Sequence, residues 1–229
     1  MDYSKYIFPI YSTNESPLCP GKKFVSSFKG NGFFVDNYFI TAGHVINQCN
    51  DPCILYDGKM VFLNRQTKLL LKDMPYDKEG RPIGHDNPDN ADIAIFSMND
   101  VIVNSPLKFS ETFPQLGETL DNIYYHFSQA EIENYSKIHE IKDQSLYVRE
   151  CKGKVNENPH DHCGDFFEVT MSPPHPDGGG SSGSPIFMGS TVYGILHAGG
   201  SVHYPEICVF FSAARVLRLL NTQSTDDRM

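Results

Sequence analysis

The sequence predicts an all-β fold in two halves of about six short strands each, ended by one helix. Three observations carry this. Short apolar runs recur along the chain, each bounded by Gly, Pro, Asn, Asp or Ser, as strands are bounded by turns. The 18 glycines and 15 prolines leave little room for long periodic helices. Helical periodicity is clear only in Ser212-Ala213-Ala214-Arg215-Val216-Leu217-Arg218-Leu219-Leu220, with Ser212 placed to cap it. With 229 residues, 40% of them hydrophobic, the chain can bury a sizeable core, and 16 Phe and 12 Tyr must fill it because Trp is absent.

The elements follow in order. Tyr6 to Tyr11 reads as an edge strand or a brace, and residues 12–22 as loop. Phe24 to Phe28 is a strand and Gly30-Asn31-Gly32 a turn. Phe33-Phe34-Val35, Asp36-Asn37 and Tyr38-Phe39-Ile40-Thr41 read as strand, two-residue turn, strand. Ala42-Gly43-His44-Val45-Ile46 adds one helical turn, so His44 sits where a buried hairpin ends, rigid enough for a catalytic group. Cys53 to Tyr56, Met60 to Leu63 and Lys68 to Leu71 are further strands, and residues 73–90 a surface loop. Asp92 opens the apolar strand Ile93-Ala94-Ile95-Phe96, where a buried carboxylate needs partners. Residues 97–115 lack any period and read as the linker between the halves. Strands resume at Leu116 to His126. Residues 128–145 form a polar hairpin or inserted loop. Ser145 to Lys152, Phe166 to Met171, Ser184 to Met188, Thr191 to His197 and Ile207 to Phe211 complete the strands. Residues 221–229 read as disordered.

Charge and cysteine usage exclude several roles. The net charge of −9 argues against binding nucleic acid or an anionic membrane surface. No apolar run reaches the length of a membrane span. The N-terminal residues lack the layout of a signal peptide, and six cysteines without one read as reduced thiols. A cytoplasmic protein is the simplest expectation. Cys49 and Cys53 flank a loop and could pair under oxidation, with the reduced state expected.

The octet Gly178-Gly179-Gly180-Ser181-Ser182-Gly183-Ser184-Pro185 has the backbone freedom for a tight turn that aims two N–H groups into one concavity. Alone it reads as a flexible loop. It gains meaning from Thr41-Ala42-Gly43-His44 and Ala91-Asp92-Ile93-Ala94, which lie upstream in the order His, Asp, Ser at separations of 48 and 90 residues. In this order and context, from about Phe24 to Leu220, the chain resembles the trypsin/chymotrypsin-fold serine peptidases. It is closer in style to their disulfide-free viral, bacterial-cytosolic and HtrA-like members than to the digestive zymogens. The resemblance implies two six-stranded antiparallel β-barrels and a C-terminal helix. Residues 1–105 would form the barrel carrying His44 and Asp92. Residues 106–229 would form the barrel carrying Ser182, with the helix over 212–220. It implies Ser182 as nucleophile, His44 as base, Asp92 as orienting carboxylate, and the N–H groups of Gly180 and Ser182 as the oxyanion hole. No cofactor is implied.

The departures also carry information. No Ile-Val-Gly-Gly activation site is present, and Ser181 stands where the digestive enzymes have the aspartate that locks onto a freed N-terminus. Val45 replaces a cysteine beside the histidine. Activity is therefore expected to be constitutive, or gated by an activating protein partner or by loop ordering. The resemblance places the specificity pocket between the segment before Ser182 and Tyr193 to Gly200, with Asp177, Leu196, His197, Ala198 and Gly199 as candidate substrate contacts. Asp177 is either a partner for a basic P1 side chain or a solvated turn residue. His197 has three readings: a P1 contact, a support for the triad aspartate, or a hydrogen-bonded histidine without a role in selectivity. His160, His162 and Cys163, with Cys151 and His175 nearby, have the residue types of a zinc site but the spacing of no standard finger. The expected partner is a protein or peptide substrate, and the expected activity endopeptidase. A silent peptide-binding module on the same fold and a peptidase active only within a larger stress or immunity complex are the competing readings.

Overall fold

A computed structural model describes residues 1–72, 91–98, 101–127, 146–156, 165–175, 180–199 and 204–226. Fourteen strands among them form two seven-stranded sheets. The first contains β1 (Ile7–Ser16), β2 (Cys19–Val35), β3 (Tyr38–Thr41), β4 (Cys53–Tyr56), β5 (Lys59–Phe62), β6 (Thr67–Lys72) and β7 (Ile93–Ser97), in the order β5-β4-β1-β2-β3-β7-β6. The second contains β8 (Lys108–Phe109), β9 (Thr119–Phe127), β10 (Leu146–Val155), β11 (Phe166–Ser172), β12 (Pro185–Met188), β13 (Thr191–Gly199) and β14 (Ile207–Ser212), in the order β12-β9-β10-β11-β14-β13-β8.

Pairing of β12 with β13 closes six strands of the second sheet into a barrel, and β8 attaches to β13 in parallel outside it. Closure removes the exposed edges that an open sheet would leave. The first sheet departs from the expected six-stranded barrel. It has seven strands, and no pairing joins its end strands β5 and β6 among the described residues. The β4–β5 hairpin meets β1 through the single pair Tyr11–Cys53, so it hangs from the sheet rather than continuing it. Three register shifts along β1 and β2 bend this pair.

Local chemistry explains most boundaries. Asp36, at φ 50°, makes the β2–β3 turn, and Asp57-Gly58, at φ 48° and 71°, makes the β4–β5 turn, both hairpin signals of the kind that favour a two-residue loop. Two readings are corrected. Residues 12–22 are largely paired strand, because Ser12 to Ser16 of β1 continue against Cys19 to Ser27 of β2. Gly30-Asn31-Gly32 lies inside β2, where the glycines permit close approach instead of a turn. A Cβ on Gly30 would lie 2.9 Å from the Ser182 carbonyl oxygen, and one on Gly32 would lie 2.3 Å from the Phe39 ring. The surface-loop expectation for 73–90 and the hairpin expectation for 128–145 lie outside the described residues.

Besides α1 (Gly43–Asn47), the one long helix among the described residues is α2 (Ala213–Asp226), which runs through residues expected to be disordered as far as Asp226. Its buried Ala213, Val216 and Leu219 repeat every three residues, so one face packs inward. Ser212 precedes it as expected, but its Oγ makes no hydrogen bond among the described residues. The helix is held instead by Asp165, whose Oδ1 lies 3.2 Å from Arg215 Nε. One apolar cluster belongs to the first sheet, around Phe34, Phe39 and Ile54, and another to the second, around Tyr124, Phe167 and Phe210. A third crosses between them and takes in Phe33, Ile40, Phe187, Ile195, Phe211 and Val216. Among the described residues no helix is long and apolar enough to cross a membrane.

Candidate active site

The site is assembled where α1, the start of β7, the end of β13 and the turn before β12 meet. Gly43 is required for the first contact, since a Cβ there would lie 2.9 Å from the Lys72 carbonyl oxygen and 3.2 Å from Asp92 Oδ1. The chain can therefore lay α1 directly on Asp92. The backbone N–H of His44 donates to Asp92 Oδ1 at 2.7 Å, and the His44 ring Nδ1 lies 2.6 Å from Asp92 Oδ2. His197 Nδ1 reaches the same Oδ2 at 2.7 Å. An ionised carboxylate can only accept, so both Nδ1 atoms carry protons. In the neutral rings both Nε2 atoms are then bare.

Asp92 is 1% exposed. Burial pushes its pKa upward, but hydrogen bonds from His197 and His44 and the two rings' charges outweigh this and hold the carboxyl well below the usual carboxylate range. A folded-state pKa below the unfolded value contributes stability that is complete above about pH 4 and is lost as pH falls further. Urea unfolding between pH 5 and pH 2 should therefore show Asp92→Asn with a flatter acid limb than wild type below pH 4. Parallel curves would place the acid sensitivity elsewhere.

A β-bulge brings His197 inward. The β13–β14 register shifts between Leu196 and Ala198, and the intervening His197 is 5% exposed, with its ring 5.2 Å from that of Phe166. Of its three readings, support for Asp92 has the bond. The expectation that Leu196 contacts substrate is corrected. At 1% exposed it lies in the core of the second sheet, and it serves the turn through its backbone, accepting from Gly183 N and donating to Ser184 O, both at 2.8 Å. Ala198 and Gly199 are exposed and line a cleft of about 510 Å³ with Glu168, Tyr204, Ile207 and Val209. Gly199 is glycine for packing as well, since a Cβ would lie 2.4 Å from Cys208 Sγ. Asp177 lies outside the described residues.

Ser182 sits in a turn with Gly180 at φ 96° and Gly183 at φ 81°. The turn is docked on the first sheet through Asn31. The backbone N–H of Asn31 donates to the Ser182 carbonyl at 2.8 Å, and its Nδ2 donates to the Gly180 carbonyl at 2.8 Å. The same side chain accepts from Tyr125 N at 2.6 Å. Gly183 faces Asn31 O, Thr41 Oγ1 and Ala42 N, which brings the turn against the residues just before His44. Among the described residues no hydrogen bond joins Ser182 Oγ to His44. The structure therefore links His44, Asp92 and His197 directly, and brings Ser182 to the same wall through backbone contacts.

Asn31, Asn122 and His126 were not singled out as site residues by sequence reasoning, and His175 was named only beside the zinc candidates. Asn31 offered one signal, a polar residue between two glycines in an apolar stretch. Asn122, His126 and His175 are buried polar residues, and Asn122 and His175 meet each other across 53 residues. Among the described residues, only His44, Asp92 and His197 bring three metal-ligand atoms within 4.8 Å, and their Nδ1 atoms already bond the carboxylate. The zinc candidates His160, His162 and Cys163 lie outside the described residues. Cys49 and Cys53 are free thiols, as are Cys19, Cys151 and Cys208. Burial pushes Cys49 and Cys53 each up to about 11.

No family model and no curated protein matches the sequence. Solved structures do match its fold. Similarity to the HtrA-type protease AlgW with a decapeptide covers 98% of this chain and 68% of that one, at 14% identity and a TM-score of 0.59. A protease from M. tuberculosis in its active form matches 96% of this chain and 81% of its own, at 17% identity and 0.55. Neuropsin, a serine protease expressed in the limbic system of mouse brain, matches 96% of this chain and 94% of its own, at 11% identity and 0.62. The chain has the trypsin/chymotrypsin-like serine protease fold.

Proposed function

We propose that this chain, built on that fold, is a serine endopeptidase that hydrolyses protein substrates through an acyl-enzyme. The observation that carries the reading is the His44–Asp92 pair: a buried carboxylate takes both the backbone N–H and the ring Nδ1–H of His44. This leaves Nε2 as the base. Ser182 Oγ attacks the scissile carbonyl carbon while its proton passes to His44 Nε2. The oxyanion is met by the N–H groups of Gly180 and Ser182. The imidazolium then protonates the leaving amine. Water, deprotonated by the same nitrogen, cleaves the acyl ester and regenerates Ser182. Asp92 holds the tautomer and stabilises the imidazolium, and His197 is a second donor that steadies Asp92. Apo sites commonly have a long nucleophile–base separation that tightens with substrate.

Substrate would run along Ala198 and Gly199, with side chains entering the cleft beside Glu168, Tyr204 and Val209. Selectivity for a basic P1 residue would rest on Asp177. Free thiols at all five described cysteines support a reducing, cytoplasmic setting.

A fluorophosphonate should label the folded wild type at Ser182. Ser182→Ala should abolish labelling and reduce peptide turnover by about 10⁴- to 10⁶-fold. The missing Ser182–His44 hydrogen bond favours one second reading, a silent peptide-binding module. Folded wild type that binds peptide, resists the label and turns nothing over would establish that reading. Turnover only with an added protein would establish partner activation.

A further inference from the structure

Behind the Ser182 turn lies a buried polar chain that the proposed reaction does not use. Its members are Ser181 (8% exposed), His175 (2%), Cys151 (5%), Asn122 (0%) and Ser184 (0%). Ser181 Oγ lies 3.0 Å from His175 Nδ1, and His175 Nε2 lies 2.9 Å from Asn122 Oδ1. Asn122 Nδ2 donates to Ser184 Oγ at 3.0 Å and to the Pro185 carbonyl at 2.7 Å. Cys151 Sγ is 3.6 Å from Asn122 Oδ1 and 3.4 Å from His175 Nε2. The ring of Tyr124 covers His175 at 4.5 Å between centroids.

The direction of every link follows from chemistry. The Pro185 carbonyl can only accept, so the atom of Asn122 facing it must be the amide nitrogen. Asn122 Oδ1 is then the acceptor turned to His175, and Nε2 of His175 must carry a proton. Burial, and then the charge of His126, hold His175 down to about 4, so at neutral pH the ring carries only that one proton. Nδ1 is therefore bare and can only accept, so the Ser181 hydroxyl donates to it. Cys151, with burial first among the causes that push its thiol up to about 12, stays protonated and adds a weak S–H donor. The chain runs Ser181 to His175 to Asn122 to Ser184 and Pro185 with no net charge. It grips the turn on both sides of Ser182, one residue before and two after.

We propose that His175 is a positioning residue that, through Ser181 and Asn122, clamps the nucleophile turn in the form that presents the Gly180 and Ser182 N–H groups to an oxyanion. This neutral clamp takes the place that the resemblance assigns to an aspartate locked by a freed N-terminus. It needs no proteolytic activation. The inference rests on the peptidase reading above and deepens it.

The test compares full-length wild type with Ser181→Ala, Ser181→Thr and His175→Phe. Losing alignment of one oxyanion donor costs about 10²-fold or more, so Ser181→Ala and His175→Phe should lower kcat by about 10- to 100-fold with KM within about twofold. A peptide boronate should lose affinity in parallel. Binding of a substrate peptide to the same variants carrying Ser182→Ala should hold. Ser181→Thr, which keeps the hydroxyl, should restore kcat. Wild-type kcat in Ser181→Ala, or a KM change with kcat unaltered, overturns the clamp. Nitrogen-15 chemical shifts of His175 give a readout free of activity. The Nε2–H tautomer at pH 7, with no protonation down to pH 5, is expected. An Nδ1–H tautomer or titration near pH 6.5 overturns the hydrogen-bond order. Wild type that neither labels nor turns over would remove the peptidase reading, while the shifts would still decide the clamp.

Discussion

Asp92→Asn is expected to lower kcat by about 10⁴-fold while the protein stays folded. Three donors converge on Asp92: the His44 backbone N–H, His44 Nδ1–H and His197 Nδ1–H. An asparagine offers one acceptor oxygen and one donor nitrogen. With the nitrogen at the Oδ2 position, both rings must present a bare Nδ1 to it, and the His44 proton moves to Nε2, the atom that the proposed mechanism needs empty. With the oxygen there, the nitrogen opposes the His44 backbone N–H, which can only donate. The charge that stabilises the imidazolium is also removed. Peptide turnover and fluorophosphonate labelling rate should fall together. His197→Ala removes one donor and leaves both bonds to His44 intact, so its loss should be much smaller. Equal losses in the two variants would mean that Asp92 acts by packing rather than by setting the tautomer of His44.

Gly183→Ala should be the most damaging small substitution at the site. A Cβ there would lie 2.1 Å from Asn31 O, 2.4 Å from Thr41 Oγ1 and 3.1 Å from Ala42 N. Two of those three atoms are backbone, and the backbone at Gly183 has φ 81°, where a Cβ is disfavoured. Relief requires the turn to leave the first sheet. That would break the Asn31 N–H bond to Ser182 O and the Asn31 Nδ2 bond to Gly180 O, both 2.8 Å. Strain and lost hydrogen bonds together point to a destabilisation of about 3 kcal/mol or more, with turnover lost even at temperatures where the variant is folded. Chemical denaturation and peptide cleavage measure the two effects. Gly189→Ala is the control, since φ there is also positive, at 58°, but nothing lies within 4 Å of the added carbon. It should cost about 1 kcal/mol and leave activity unchanged.

The strands that were legible in the sequence are those whose boundaries are written locally. Cys53 to Tyr56 needed only an apolar run and the Asp57-Gly58 turn, and Tyr38 to Thr41 only the Asp36-Asn37 turn. Ser12 to Ser16 and Gly30 to Gly32 were misread because their composition signals loop, while long-range pairing of β1 with β2 makes them strand. The failed expectation of a substrate contact at Leu196 has a related cause. Counting along a strand assigns alternate faces, and the bulge at His197 turns a side chain away from the face that alternation predicts. The second barrel closes through β12 and β13, whereas the first sheet stays open among the described residues. Strand number alone does not distinguish these outcomes.

What the amino-acid sequence determined by itself was the fold class, the hairpin ending at His44, the strand opening at Asp92 and the glycine-flanked turn at Ser182. Each depends on residues adjacent in the chain: apolar runs, turn formers, and glycines where positive φ is needed. Tertiary structure alone decided which polar groups share a proton or a hydrogen bond. Asn31 meets Gly180 across 149 residues, and His197 meets Asp92 across 105. His175 meets Asn122 across 53. A buried donor or acceptor must find a partner, but its identity depends on which elements packing brings together, and no local pattern encodes that. Ser181 is the sharpest case. In the sequence it marks an absent ionic lock, and in the folded chain its hydroxyl begins the neutral clamp.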